Sequence, residues 1–284
     1  MIEAALQPRG PYSLRLSTRL AGDATRTVRG GILTSTLEIE GRLERASAWQ
    51  RPDGTIRVRA ESEEAVERVR WLLALDDDHS PFLSRFADDP LLGATLRRLR
   101  GLRPPRVPTV AQALLRAVCG QLLQWKRARA IERNVIRVAM PARDGLHAPP
   151  TAAALGRFAP AQLRTLGLGA RRASALVRLC RTVDLERLRA LPTDAAADRL
   201  ERERGLGPWS VGVICLEGLG RSERGLVGDL GLIKLASALR GRWVEAEETA
   251  ELLAPYGEWA GLASVYLLAG ARQGLVPLAD RAAA

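Results

Sequence analysis

A turn that can grip an anion and a carboxylate that can steady a cation lie close together in this sequence. The turn is Gly205-Leu206-Gly207-Pro208-Trp209-Ser210. Glycine tolerates φ > 0 and proline suits the first turn of a helix, so the run predicts one helix ending near Arg204 and another starting at Pro208. A Gly-x-Gly turn at a helix N-terminus leaves backbone N–H groups pointing outward, here those of Gly205, Gly207, Trp209 and Ser210. Such a nest binds an anion, and a phosphate held this way is gripped without its base being read. The carboxylate is Asp229, placed between Gly228 and the apolar Leu230, Leu232, Ile233 and Leu235. It reads as an N-cap aimed at the start of a helix and back towards the turn. Capping alone would account for an Asp there. The turn on a basic chain suggests a bound polyanion, with DNA phosphate the expected anion.

Composition supports a polyanionic partner. The chain has 284 residues with a formal net charge of +11, and its only lysines are Lys126 and Lys234. Arginine is the better bidentate phosphate binder. An apolar fraction of 46% with 26% charged residues fits a folded protein of two or three compact units. Cys119, Cys180 and Cys215 are far apart in apolar helical surroundings and read as core residues of a reducing compartment. No CxxC pair and no His spacing around His79 or His147 suggests a metal site. No apolar run approaches a membrane span, and the N-terminus carries no secretory signal, so a cytoplasmic, nucleoid-associated protein is expected.

Two kinds of element must position the chemistry. Residues 12–20, 33–48 and 55–60 alternate apolar and polar with period two, as half-buried strands do, and Arg51-Pro52-Asp53-Gly54 is a hairpin turn signal. Residues 63–75 read as a helix capped by Ser62, with Val66, Val69, Leu72 and Leu73 on one face. Asp76-Asp77-Asp78 reads as a solvated break. From Thr109 onward the spacing is helical throughout, with Leu114, Leu115, Val118, Leu122 and Ile131 available for a core face.

The hairpin followed by Gly228-Asp229-Leu230-Gly231-Leu232 resembles the helix-hairpin-helix plus Gly/Pro-Asp motif of base-excision DNA glycosylases. Within that superfamily the chain is most similar to the 3-methyladenine DNA glycosylase II family. The resemblance implies an α+β protein. Residues 1–80 would form an N-terminal TATA-binding-protein-like α/β domain. Residues 81–284 would form an all-helical region of two subdomains with the DNA cleft between them. It implies that Asp229 is the catalytic carboxylate. Gly120-Gln121-Leu122 resembles the family's G-Q motif, which makes Leu122 the wedge that fills the gap left by an everted nucleotide and Gln121 a neighbouring polar contact. Leu122 as a core leucine is the plain alternative.

The implied reaction is hydrolysis of the N-glycosidic bond of an alkylated, 3-methyladenine-like base in double-stranded DNA. The nucleotide is flipped out, and the strand is left uncut. Bifunctional relatives carry a lysine where this chain has Trp209. That indole would stack on a cationic base, or anchor the hairpin as a core aromatic, or both. Family members with broad alkylated-base range have further aromatics at positions that here hold Val213, Leu230 and Leu268, so the base pocket looks barer. No cofactor is expected; a monovalent cation at the hairpin carbonyls stays open. The expected partner is damaged duplex DNA bound by a monomer. Two alternatives stand beside this: a lesion-binding protein with lost or altered catalysis, and a glycosylase for an etheno or oxidised base.

Overall fold

The computed structural model describes residues 1–121 and 124–277. An N-terminal antiparallel sheet precedes a body that, among the described residues, is helical except for one short antiparallel ladder, Ala142–Arg143 against Leu146–His147, where an all-helical region was expected. The sheet contains β1 (Ile2–Leu6), β2 (Arg26–Arg29), β3 (Ile32–Ile39), β4 (Arg42–Gln50) and β5 (Ile56–Ala60), in the order β1-β5-β4-β3-β2. Ala46 faces Ala60 across β4 and β5, and Ala48 faces both Leu33 and Val58. These small side chains let the helix Glu63–Leu72 settle onto one face, burying Ala65, Val66, Val69 and Leu72. Ser62 caps that helix through Ala65 N.

One expected strand is a helix. Leu14–Thr18, α1, is a single helical turn capped by Ser13, whose hydroxyl accepts from Leu16 N. Leu14, Ser17 and Thr18 are its buried residues, and that i, i+3, i+4 spacing is helical. The Thr18 hydroxyl also bonds back to Leu14 O at 2.7 Å. Over so few residues the period-two alternation of 12–20 could not separate the two states. The Glu63–Leu72 helix is α2.

The helical body runs through α3 (Ser80–Arg85), α4 (Gly93–Arg98), α5 (Val110–Gly120), α6 (Trp125–Ala139), α7 (Ala152–Gly156), α8 (Pro160–Thr165), α9 (Ala170–Thr182), α10 (Thr193–Glu201), α11 (Pro208–Val213), α12 (Leu230–Arg240), α13 (Thr249–Leu253) and α14 (Ala260–Ala271). A π-helical turn, Ile214–Leu219, continues α11 and stops at left-handed Gly220. The body encloses one large core around α5, whose Leu114, Leu115, Val118 and Cys119 are buried; Cys180 and Cys215 are buried as well. Among the described residues no helix is long and apolar enough to cross a membrane.

Charged side chains form the joint between sheet and helices. Arg116 of α5 reaches Asp23 at 2.8 Å, Glu132 of α6 at 2.9 Å, and Glu217 of the π-helical turn. Arg26 and Arg129 add ion pairs to Asp23 and Glu132. Three acids thus meet three arginines, so the joint is neutral. Burial pushes the Asp23 carboxyl up, but the guanidinium groups of Arg26, Arg116 and Arg129 outweigh it and hold the group below its usual range. Asp77 is not merely solvated: it accepts from Arg106 at 2.5 Å. Glu186 Oε1 caps the start of α5, accepting from Val110 N at 2.8 Å and Ala111 N at 3.3 Å.

Candidate active site

α10 and α11 form the expected hairpin. α10 ends at Glu201, slightly earlier than the sequence suggested, and the chain turns through Gly205 at φ +97°. A Cβ there would stand 3.1 Å from that of Ala175, so shape as well as φ calls for glycine. Leu206 is buried and pins the turn, while Gly205, Gly207 and Pro208 are exposed. Gly207 is the N-cap of α11 and Pro208 its first residue. The Trp209 and Ser210 amides in that first turn have no partner inside the helix, which is what an anion site needs. The Ser210 hydroxyl points inward and is only 2% exposed, so this residue would serve a phosphate through its N–H.

Gln121 holds the hairpin. Its Nε2 donates to Gly205 O at 2.8 Å and to Ser210 Oγ at 3.0 Å, while its own carbonyl accepts from Arg172 of α9 at 2.6 Å. The side chain expected at DNA is therefore engaged with the turn, and Gly205 O already has a donor. Leu122, the expected wedge, lies outside the described residues. Trp125, at the start of α6 and three positions further on, presents an indole that is 47% exposed, with the Arg129 guanidinium 5.8 Å from its ring centre.

Asp229 sits where the chain enters α12. Gly228, at φ +85°, makes the turn and donates to Thr249 Oγ1 at 2.8 Å. The half-buried carboxylate has two protein donors: Gly231 N to Oδ1 at 2.8 Å and Trp209 Nε1 to Oδ2 at 3.0 Å. The capping role and the expected aim back towards the hairpin thus hold together. Sequence reading placed Trp209 against a base or in the core; its bond to Asp229 had no signal in spacing. The indole is half-buried, with its six-membered ring against Gly120 at the end of α5.

Of the expected pocket residues, Leu230 is 58% exposed beside Asp229. Leu268 of α14 crosses the start of α12 so closely that a Cβ on Gly231 would lie 2.5 Å from its Cδ2 and 3.0 Å from Asp229 Oδ1. Val213 is elsewhere: at 6% exposure it belongs to the helical core and supplies packing. The site therefore brings Asp229, Trp209, Leu230 and Leu268 together next to the exposed hairpin turn. Among the described residues no group of three or more His, Cys, Asp or Glu side chains could hold a metal ion.

Sheet, helical body and hairpin share the fold of a known class, the solved DNA glycosylases. The chain aligns with a 3-methyladenine DNA glycosylase from Archaeoglobus fulgidus over 96% of its own length and 99% of that chain, with a TM-score of 0.81 and 22% identity. It also aligns with a Clostridium acetobutylicum 8-oxoguanine glycosylase/lyase bound to DNA, with a TM-score of 0.77, 18% identity and 93% of each chain covered. Within that class the chain resembles the 3-methyladenine DNA glycosylase II family. It is 25% identical over 217 residues to the DNA-3-methyladenine glycosylase of Bacillus subtilis, covering 72% of this chain and 71% of the relative. It is 28% identical over 208 residues to a probable bifunctional transcriptional activator/DNA repair enzyme AlkA of Mycobacterium tuberculosis, spanning 42% of that relative's length. No family model matches the chain.

Proposed function

We propose that this protein is a monofunctional DNA glycosylase that releases alkylated bases from double-stranded DNA in the cytoplasm, acting as a monomer. The observation that carries the reading is the doubly held Asp229 carboxylate beside the outward-facing amides of the hairpin. The hairpin grips a phosphate, and the everted nucleoside then presents its anomeric carbon to Asp229. As the C1′–N bond breaks, positive charge builds on the sugar, and an ionised carboxylate stabilises it. Water adds to C1′ and passes a proton to the Asp229 carboxylate, while the electrons of the broken C1′–N bond leave with the base and neutralise its charge. A ring-alkylated purine already carries positive charge, so it departs without a strong general acid. The indole nitrogen of Trp209 cannot replace a lysine as nucleophile, because its lone pair belongs to the aromatic ring. Base release without strand cleavage follows.

Duplexes carrying methylated, etheno- or oxidised bases test the proposal. Release of methylated purines with intact strands is expected. Asp229→Asn should lower the single-turnover rate by about 100-fold or more while sparing binding. Wild-type protein that binds lesions but frees no base would instead make it a lesion sensor. Release confined to etheno or oxidised bases would move the substrate to those lesions, a reading favoured by the small set of aromatics around Asp229. Binding should weaken steeply with salt: two neutralised phosphates already cost about tenfold for a fourfold rise in salt.

A further inference from the structure

The end of α5 reaches the catalytic carboxylate through a single indole. A Cβ on Gly120 would stand 2.5 Å from Trp209 Cη2, 3.3 Å from Cζ3 and 3.4 Å from Cζ2. The six-membered ring therefore rests on the bare backbone of Gly120. Across the same rigid plane, Nε1 donates to Asp229 Oδ2 at 3.0 Å. A push at the ring tip must appear at the nitrogen, because an indole does not bend. Nor can the backbone under Trp209 easily retreat. The residue after Gly120, Gln121, is bonded to Ser210 Oγ at 3.0 Å and Gly205 O at 2.8 Å, fixing the start of α11 to the same end of α5. The remaining freedom is rotation of the Trp209 side chain, which breaks the bond to Asp229.

We infer that Gly120 is a positioning residue for base release. Its missing side chain seats Trp209, and Trp209 then fixes the carboxylate that faces the sugar. The inference rests on Asp229 being the reacting carboxylate. Asp229 keeps its bond from Gly231 N whatever happens at Gly120. Loss of the Trp209 bond therefore leaves a carboxylate that is present but free to turn about its remaining anchor.

Gly120→Ala, Trp209→Phe and the double variant, all in the full chain, test this. Two quantities are measured: single-turnover release of a methylated purine and affinity for a duplex containing an abasic-site analogue. Losing a hydrogen bond to a charged group should slow release by about 10- to 100-fold in Gly120→Ala, with affinity unchanged. Trp209→Phe, lacking both the ring tip and the N–H donor, should show the same loss. Adding Gly120→Ala to it should then cost nothing more, because the two positions act through one contact. If Gly120→Ala alone proves unstable, recovery of folding in the double variant, with the rate of Trp209→Phe, supports the same seat. Losses that multiply in the double variant overturn the inference, as does a fall in affinity matching the fall in rate, or an unchanged rate in Gly120→Ala. Wild-type protein that releases no base from any lesion would sink the glycosylase reading itself; activity that ignores Gly120 sinks only this inference.

Discussion

Arg116 and Asp23 meet at 2.8 Å inside the joint between sheet and helical body, with both side chains shielded from solvent. The same guanidinium serves Glu132 and Glu217, so it stands at the centre of the buried charges. Removing one partner from such a cluster leaves the others unpaired in a poor solvent for ions. Arg116→Met should therefore destabilise the protein by about 3–5 kcal/mol, read from denaturant unfolding. A midpoint equal to wild type would remove the cluster from what secures the helix leading to the hairpin.

Leu230 stands mostly exposed beside Asp229, where a ring would have room. A cation over an aromatic face gains about 0.5–2 kcal/mol, so Leu230→Trp should raise release of cationic alkylpurines by about 2- to 30-fold. Neutral etheno and oxidised bases should gain less. Competition between a methylated and an etheno duplex measures the difference; equal gains for both would mean that the new ring does not face the base.

Gly205 should tolerate no side chain. Its backbone is in a region that costs other residues about 1–2 kcal/mol, and Ala175 sits against it. Gly205→Ala should distort the turn and weaken duplex binding by about tenfold, a loss comparable to that strain. Fluorescence anisotropy on undamaged DNA reads this directly, because the proposed contact is with the backbone. Unaltered affinity would place the phosphate grip elsewhere.

His79 makes stability depend on pH. Burial pushes its imidazole down to about 4, and the charges of Arg103 and Arg106 push the same way, against Asp78. Asp77 Oδ2, 3.9 Å from Nε2, is already committed to Arg106. In the unfolded chain a histidine takes up its proton near pH 6.5, so the fold loses stability as pH falls from there towards 4 and is fully stabilised above. The window is worth about 3 kcal/mol. Unfolding of His79→Leu should show a flatter profile between those limits, and parallel curves would exclude His79 as the source.

The sequence made the hairpin, the capping position of Asp229 and the sheet's turn at residues 51–54 legible, because glycine, proline and short polar side chains act on their own backbone. It could not disclose the Trp209–Asp229 bond or the seat on Gly120. Those join residues on different helices, and nothing in local spacing says which ring will face which glycine. The period-two reading of residues 12–20 failed for a related reason: so short a stretch holds too little periodicity, and two hydroxyl bonds decided for the helix over Leu14–Thr18. Ile2–Leu6, the true first strand, reads Ile-Glu-Ala-Ala-Leu, whose alanines blur any alternation. The buried acids and arginines were visible only as charge, since neutrality of the joint depends on four separate parts of the chain.

One consequence concerns birth order. The first turn of α5 is capped locally by the Thr109 hydroxyl, but its first two amides are met by Glu186, which lies 76 residues downstream of Val110. A nascent chain emerges N-terminus first, so the sheet can set while that acid is still unmade. The helix ending at Gly120 carries its Thr109 cap from the outset but must wait for the chain to reach Glu186 before the amides of Val110 and Ala111 find their acceptor. Truncations that stop short of residue 186 should thus yield a folded sheet attached to a loosely held α5.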